Sequence, residues 1–173
     1  NALIYLPLFL WLWKAPYGPR FRKEQTQPAV AMRNLGDLVA AIRNIADYPV
    51  LADLSRSLTR KQFANFKRAA LAFADRLKPG DTAALITFHR KVHRDLNFTS
   101  DRELLKKRIR ALRQTGSRTM LYDALIEAHK MLADAPARKA IVLYTDGKEN
   151  ASRVTMSDLI ELYSANPVPL FVA

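Results

Sequence analysis

At 173 residues, 49% of them apolar, the chain can bury one sizeable core, and it carries no internal repeat or low-complexity tract. It has no cysteine, which excludes a disulfide framework and a thiolate metal site while leaving the redox compartment open. Lys and Arg number 28 against 16 Asp and Glu, a net charge of +12 that favours acidic partners without choosing among nucleic acid, anionic lipid and acidic protein surfaces.

The chain opens on an apolar run, Ala2 to Trp13, followed by Lys14, Arg20, Arg22 and Lys23. Twelve residues are too few for a helix to cross a hydrocarbon core, which needs about twenty. A secretory signal would put its basic residues before the apolar run and a small-residue cleavage site after it, and neither is present. Two readings remain: the remnant of a membrane helix whose beginning is missing, favoured by the basic, aromatic flank, or an apolar element docked on the domain. Such a remnant fits a membrane-associated or an exported protein. Gln25 to Pro28 read as a linker. Val30 to Ala46 read as an amphipathic helix with Leu35, Leu38, Val39, Ile42 and Ile45 on one face. The expected organisation is therefore a segment 1–29 and a domain 30–173.

Tyr48 to Ala52 is a short apolar strand containing Pro49, which removes a ladder donor and is unusual in a central strand. From Leu58 onward a long helix is expected, with Phe63, Phe66, Ala69, Ala70, Phe73 and Leu77 at helical spacing. Between strand and helix lie Asp53, Ser55 and Ser57. One carboxylate and two hydroxyls on alternate residues of a turn can converge on a cation, and hard oxygen donors suit Mg²⁺ or Mn²⁺ better than zinc. Three common residue types also recur by chance, so the motif needs further ligands. A strand-to-helix turn is where ligands gather in an open α/β sheet.

Thr82 to Phe88 and Val92 to Phe98 read as two strands joined by a basic turn at Arg90, so His89 and His93 lie across a bend and read as surface residues rather than a chelating pair. Arg102 to Arg113 is a basic helix with a buried stripe of Leu104, Leu105, Ile109 and Leu112; no aromatic residues interleave its charges, so it reads as a solvated face, with a nucleic-acid surface the lesser alternative. The glycine-containing loop Gln114 to Thr119 delivers a hydroxyl just before a helix spaced by Leu121, Ala124, Leu125, Ala128 and Leu132. His129 falls within that helix as a structural or solvated residue. Ala140 to Tyr144 reads as a buried parallel strand, and Asp146 after it is expected at the same sheet edge as Asp53. Asn97 and Asn150 begin glycosylation acceptor patterns that are common by chance. Val168 to Ala173 reads as the last strand. Strands alternating with helices imply an α/β fold, a mostly parallel sheet with helices on both faces and one antiparallel strand from the hairpin.

DLSRS, GSRTMLYDAL and the strand ending in TDG together resemble the three metal-binding loops of a von Willebrand factor type A domain, in order and in structural context, over roughly residues 48 to 173. KPGDTAALITF resembles that family's second strand and its lead-in, and VHRDLNFTSDRELL its short third strand and following helix. The resemblance implies a Rossmann-like fold, a metal-ion-dependent adhesion site at Asp53, Ser55, Ser57, Thr119 and Asp146, and a non-enzymatic module that binds an acidic residue of a partner protein through Mg²⁺ or Mn²⁺. Arg56 stands where many members carry glycine, though integrin β subunits also carry a bulky residue there. The family pattern continues past Val168–Ala173 with a further helix and strand, so a domain truncated at its C-terminal end is expected. Arg56 and Arg118 flank the expected ligands and would extend attraction to an acidic partner. The competing class is a metal-dependent hydrolase or phosphotransferase. It is disfavoured because the first loop lacks a second carboxylate, no phosphate-binding glycine loop occurs, and no base is evident beside the site.

Overall fold

In the computed structural model, which describes residues 47–133 and 139–172, five strands form one sheet in the order β3-β2-β1-β4-β5. The elements follow as β1 (Asp47–Asp53), α1 (Arg60–Arg76), β2 (Thr82–Phe88), β3 (Val92–Thr99), α2 (Arg102–Ala111), α3 (Leu121–Met131), β4 (Ile141–Tyr144), α4 (Met156–Ala165) and β5 (Leu170–Val172). β1 pairs in parallel with β2 on one side and β4 on the other, β4 pairs in parallel with β5, and only β3 runs antiparallel. This is the α/β, Rossmann-like arrangement expected from the alternation of elements. The segment 1–29 and the expected helix Val30–Ala46 lie outside the described residues. Among the described residues no helix is long and apolar enough to cross a membrane.

Two cores sandwich the sheet. Alternation along β1 sends Tyr48, Val50 and Ala52 to one face, where they meet Phe63, Phe66 and Phe73 of α1 and Leu105 and Ile109 of α2. Leu51 goes to the other face, with Leu121, Leu125 and Ala128 of α3 and Leu159 of α4. β3 forms one edge, and it is blunted by the exposed His93, Arg94 and Asp95.

Local chemistry sets the helix boundaries. α1 begins at Arg60 rather than Leu58 because Thr59 accepts from the Gln62 N–H at 3.2 Å while the Gln62 side chain accepts from the Thr59 N–H at 2.8 Å, a reciprocal cap. The same box, Thr155 with Asp158, opens α4.

Pro49 does sit in a central strand, and the ladder accommodates it. Asp47, two residues earlier and of the same parity, faces β4 and accepts from the Ala140 N–H at 3.3 Å. Pro49 therefore directs its missing N–H toward β4, where Asp47↔Lys139 is an isolated bridge and continuous pairing begins only at Val50↔Val142. Toward β2 the register is unbroken from Asp47↔Thr82 to Asp53↔Phe88.

The chain leaves β1 toward β2 on one side and later enters β4 on the other. The carboxyl ends of β1 and β4 therefore border the crevice where the winding reverses, the position that collects ligands in open α/β sheets.

Candidate functional site

Asp53 is the last residue of β1 and is fully buried. Its Oδ1 accepts from the Ser55 N–H at 2.7 Å, the turn that a short carboxylate makes with its own chain two residues on. Its Oδ2 accepts from the Thr145 hydroxyl at 2.8 Å, which ties the end of β1 to the segment after β4. The Ser55 and Ser57 hydroxyls lie 2.6 Å apart. Ser55 is buried, Ser57 half-buried and Arg56, between them, exposed.

The segment between α2 and α3 is laced onto this turn. Thr115 N–H donates to Leu54 C=O at 3.0 Å, Arg56 N–H to Gly116 C=O at 2.7 Å, and the Gln114 amide to Ser55 C=O at 3.2 Å and Leu58 C=O at 2.9 Å. Gly116 is required by close approach: a Cβ there would lie 2.4 Å from the Cβ of His89. Met120 N–H then donates to His89 C=O at 3.0 Å. Thr119, one residue before, is 1% exposed, and its hydroxyl makes no hydrogen bond among the described residues.

Beyond β4 the chain passes Thr145 and Asp146 to Gly147, whose φ of 78° lies in the left-handed region that glycine tolerates. Asp146 is two residues past the strand rather than at its end. Its carboxylate accepts from the Lys148 N–H at 3.2 Å and pairs with the Lys148 ammonium at 3.3 Å. Glu149 and Asn150 then reach across to α3. No side chain at the N-cap position of α3 caps the helix, and Glu149 supplies the missing acceptor, taking the Leu121 N–H at 2.7 Å and the Tyr122 N–H at 3.1 Å. Asn150 accepts from the Thr119 N–H at 2.9 Å and returns its own N–H to Thr119 C=O at 3.2 Å. Ser152 accepts from Tyr122 and Asp123 N–H and donates to Glu149 at 2.7 Å.

Burial pushes the Asp53 carboxyl above the ordinary range; the hydrogen bonds from Ser55 and Thr145 pull it down, and the nearby Asp146 charge raises it again. The structure thus brings Asp53, Ser55 and Ser57 together on one turn and ties that turn to the segment after β4 that carries Asp146 and to the segment before α3 that carries Thr119. The two carboxylates and three hydroxyls expected as ligands offer only oxygen donors, a chemistry that suits a hard divalent cation and not a soft one. Among the described residues no three His, Asp or Glu side chains cluster as a metal cage, so any site here depends on hydroxyls.

The residues that hold this arrangement were harder to see. Thr145, Glu149 and Gln114 carried no signal beyond being polar and close to the motifs, and Asn150 read only as a glycosylation acceptor. The other candidates keep their ordinary readings. The His89 and His93 rings stand 6.1 Å apart, with His93 exposed. On α2, Lys106 is paired with Asp75 and Glu103, as expected of a solvated face.

A family model for the von Willebrand factor type A domain matches residues 49–149. Among solved structures, three N-terminal domains of the type V pili tip protein Mfa5 from Porphyromonas gingivalis match at 23% identity and a TM-score of 0.56, over 66% of this chain and 23% of that one. An aerotolerance-related membrane protein from Bacteroides fragilis matches at 18% identity and a TM-score of 0.64, over 66% of its length and 73% of this chain. Proximal thread matrix protein 1 from the mussel byssus, in a structure with a zinc-occupied MIDAS motif, matches at 22% identity and a TM-score of 0.61, over 74% of this chain and 37% of that one. At these identities the likeness establishes the fold. No curated protein matches the chain.

Proposed function

The chain belongs to the von Willebrand factor type A domain family, and from that premise we propose that it is a non-enzymatic protein-binding module. In this reading Asp53, Ser55, Ser57, Thr119 and Asp146 hold a divalent cation, Mg²⁺ or Mn²⁺, that receives an acidic side chain of a partner protein. Domains of this family are as a rule interaction modules rather than enzymes, and a fold neighbour with zinc in its MIDAS motif supports metal use.

The observation that carries the reading is the buried Asp53 carboxylate at the end of β1, tied through the Thr145 hydroxyl to the segment that carries Asp146, together with a buried threonine whose hydroxyl is unbonded among the described residues. Burying a carboxylate is costly unless positive charge compensates it. The ammonium paired with Asp146 belongs to the exposed Lys148. When bound, a divalent ion supplies the missing charge and an electrophilic position open to a carboxylate. The chain's own part is orientation. Ser55 N–H and the Thr145 hydroxyl fix both oxygens of Asp53, and Asn150 fixes the backbone of Thr119.

The Ala2–Trp13 run with its basic flank supports a membrane-associated or exported setting, in keeping with a fold neighbour that is itself a membrane protein. Nucleic acid is the less favoured partner, because the basic helix α2 lacks interleaved aromatic residues.

The test is calorimetric titration of Mg²⁺ and Mn²⁺ into the wild type and Asp53→Ala, followed by binding of a capped aspartate-containing peptide with ion and with chelator. Saturable ion uptake by the wild type alone, and peptide binding that needs the ion, are expected. Equal peptide binding by Asp53→Ala in chelator would leave only the basic surface as an explanation and would sink the reading.

A further inference from the structure

Arg56, His89, Arg90, Thr115, Gly116 and Ser117 line a pocket of about 280 Å³ that opens beside the candidate metal site. Its walls are fixed by contacts already described: Arg56 N–H on Gly116 C=O at 2.7 Å, and the His89 ring packed against Gly116. Arg56 stands in sequence between Ser55 and Ser57, so the pocket begins one residue from two of the expected ligands.

Its polar groups have a common direction of charge. Neither the Arg56 nor the Arg90 guanidinium has a carboxylate within salt-bridge distance among the described residues, whereas Arg94 pairs with Glu127 and Lys106 with Asp75 and Glu103. The Ser117 hydroxyl likewise has no partner among the described residues. The His89 Nδ1 accepts from the Arg90 N–H, which leaves Nε2 as the ring's donor. Two arginines, a histidine and a serine therefore line a concavity that contains no acidic residue. The volume falls just below the range of about 300 Å³ and upward typical of small-molecule sites, and so suits a side-chain group rather than a cofactor.

We propose that this pocket is a subsite for a second carboxylate of the same partner segment, so that the module recognises a pair of acidic residues: one directed to the metal, the other held by Arg56 and Arg90. The proposal rests on the adhesion reading for the first carboxylate and adds a recognition element to it. Guanidinium forks match carboxylates in two-point contacts, which gives the subsite geometric preference as well as charge. In an extended segment alternate side chains project to the same face about 7 Å apart, a separation that would let one bound strand address both positions.

The experiment uses capped synthetic peptides carrying a single Asp, or two Asp separated by zero, one or two glycines, titrated into the protein in saturating Mg²⁺ and again in chelator. At least one two-acid peptide should bind about five- to tenfold tighter than the single-acid peptide, the range expected of a partly desolvated charge pair. In Arg56→Gln/Arg90→Gln that ratio should fall to about one, while the charge-matched Lys107→Gln/Arg108→Gln on α2 should keep it. A wild-type ratio near one for every spacing would overturn the subsite and leave the adhesion reading intact. A ratio that survives in Arg56→Gln/Arg90→Gln, or disappears equally in the α2 variant, would overturn it as an effect of net charge. Absence of any Mg²⁺-dependent peptide binding would overturn both.

Discussion

The loop after β1 and the loop after β4 border the same crevice but are held in different ways. The first is shaped by local bonds, Ser55 N–H on Asp53 and the Ser55–Ser57 hydroxyl pair, each spanning two positions in sequence, and is then fastened from outside by Gln114, Thr115, Gly116 and Thr145. The other is held by bonds that cross 27 to 31 positions, from Glu149, Asn150 and Ser152 to the backbone of Thr119 through Asp123. A local turn of this kind keeps its shape wherever the strand ends. A loop built on long-range bonds keeps its shape only while α3 stays docked, and α3 in turn depends on that loop for its N-terminal acceptors. Thr119 is carried on this second, mutually dependent unit.

The largest expected effect follows from Glu149. Its two oxygens accept from the N–H groups of Leu121, Tyr122, Ala151 and Ser152 and from the Ser152 hydroxyl. Glu149→Ala leaves these donors unsatisfied at once, and a loss of about 3 kcal/mol is expected from the cost of stranding several partly buried donors. Asp53→Asn is the matched change in the other loop. Burial already disfavours the charged form of Asp53, and the amide keeps one acceptor, so without metal the cost should be under about 1 kcal/mol. Denaturant midpoints of both variants in chelator check the pair. Equal losses would mean that the two loops are not differently built.

Gly116 tests the joint between the loops. An alanine methyl would meet the His89 Cβ at 2.4 Å and its Cγ at 2.7 Å, so either the ring or the segment bearing Thr119 must shift. Gly116→Ala should cost about 2 kcal/mol, as overpacking of a fixed contact typically does. A wild-type midpoint would show that the His89 side chain yields freely.

A smaller effect is expected at Thr119, and it separates scaffold from ligand. Its N–H and C=O are both engaged by Asn150, while its hydroxyl has no bond to lose. Thr119→Ala should therefore change the unfolding free energy by less than about 1 kcal/mol. If the hydroxyl is a ligand, ion affinity should nevertheless fall by about tenfold, roughly the weight of one neutral donor. Thermal unfolding and calorimetry on the same preparation give both numbers, and a stability loss as large as that of Glu149→Ala would make Thr119 a structural residue.

The same division explains what the sequence made legible. Asp53, Ser55 and Ser57 could be read because a local turn writes its ligands in consecutive positions, and the strand and helix around it carry periodicities of 2 and 3.6. Thr82 to Phe88, read as a strand ending before the basic bend at Arg90, is β2 with the same bounds. The roles of Glu149 and Asn150 were not legible, because their partners lie at the start of α3 and nothing in KEN marks which distant N–H groups it will meet. Pro49 misled for a related reason. Its cost depends on which neighbouring strand its missing donor faces, a tertiary fact that strand propensity does not contain.

The smallest effect is one of pH, and it probes the far end of α3. His129 is buried, its ring set edge-on to Tyr163 with centroids 4.2 Å apart, and its Nε2 has no hydrogen-bond partner among the described residues. Burial, and secondarily the charge of Lys139, hold its pKa below the ordinary 6.5. The unfolded chain therefore binds a proton more readily than the folded one. The stability associated with neutral His129 is complete above about 6.5 and is lost as pH falls below that value toward the folded pKa. His89, also held low by burial, contributes with the same sign but on the β2 side of the crevice. If α3 and the loop after β4 form one cooperative unit, acidification should lower the amide protection of Leu121 and Tyr122 more than that of Ser55, after correction for intrinsic exchange. His129→Phe removes the titrating group while keeping the aromatic contact, so this differential slope should disappear. An undiminished differential slope in His129→Phe would place the pH sensitivity outside α3 and separate the helix from the loop that caps it.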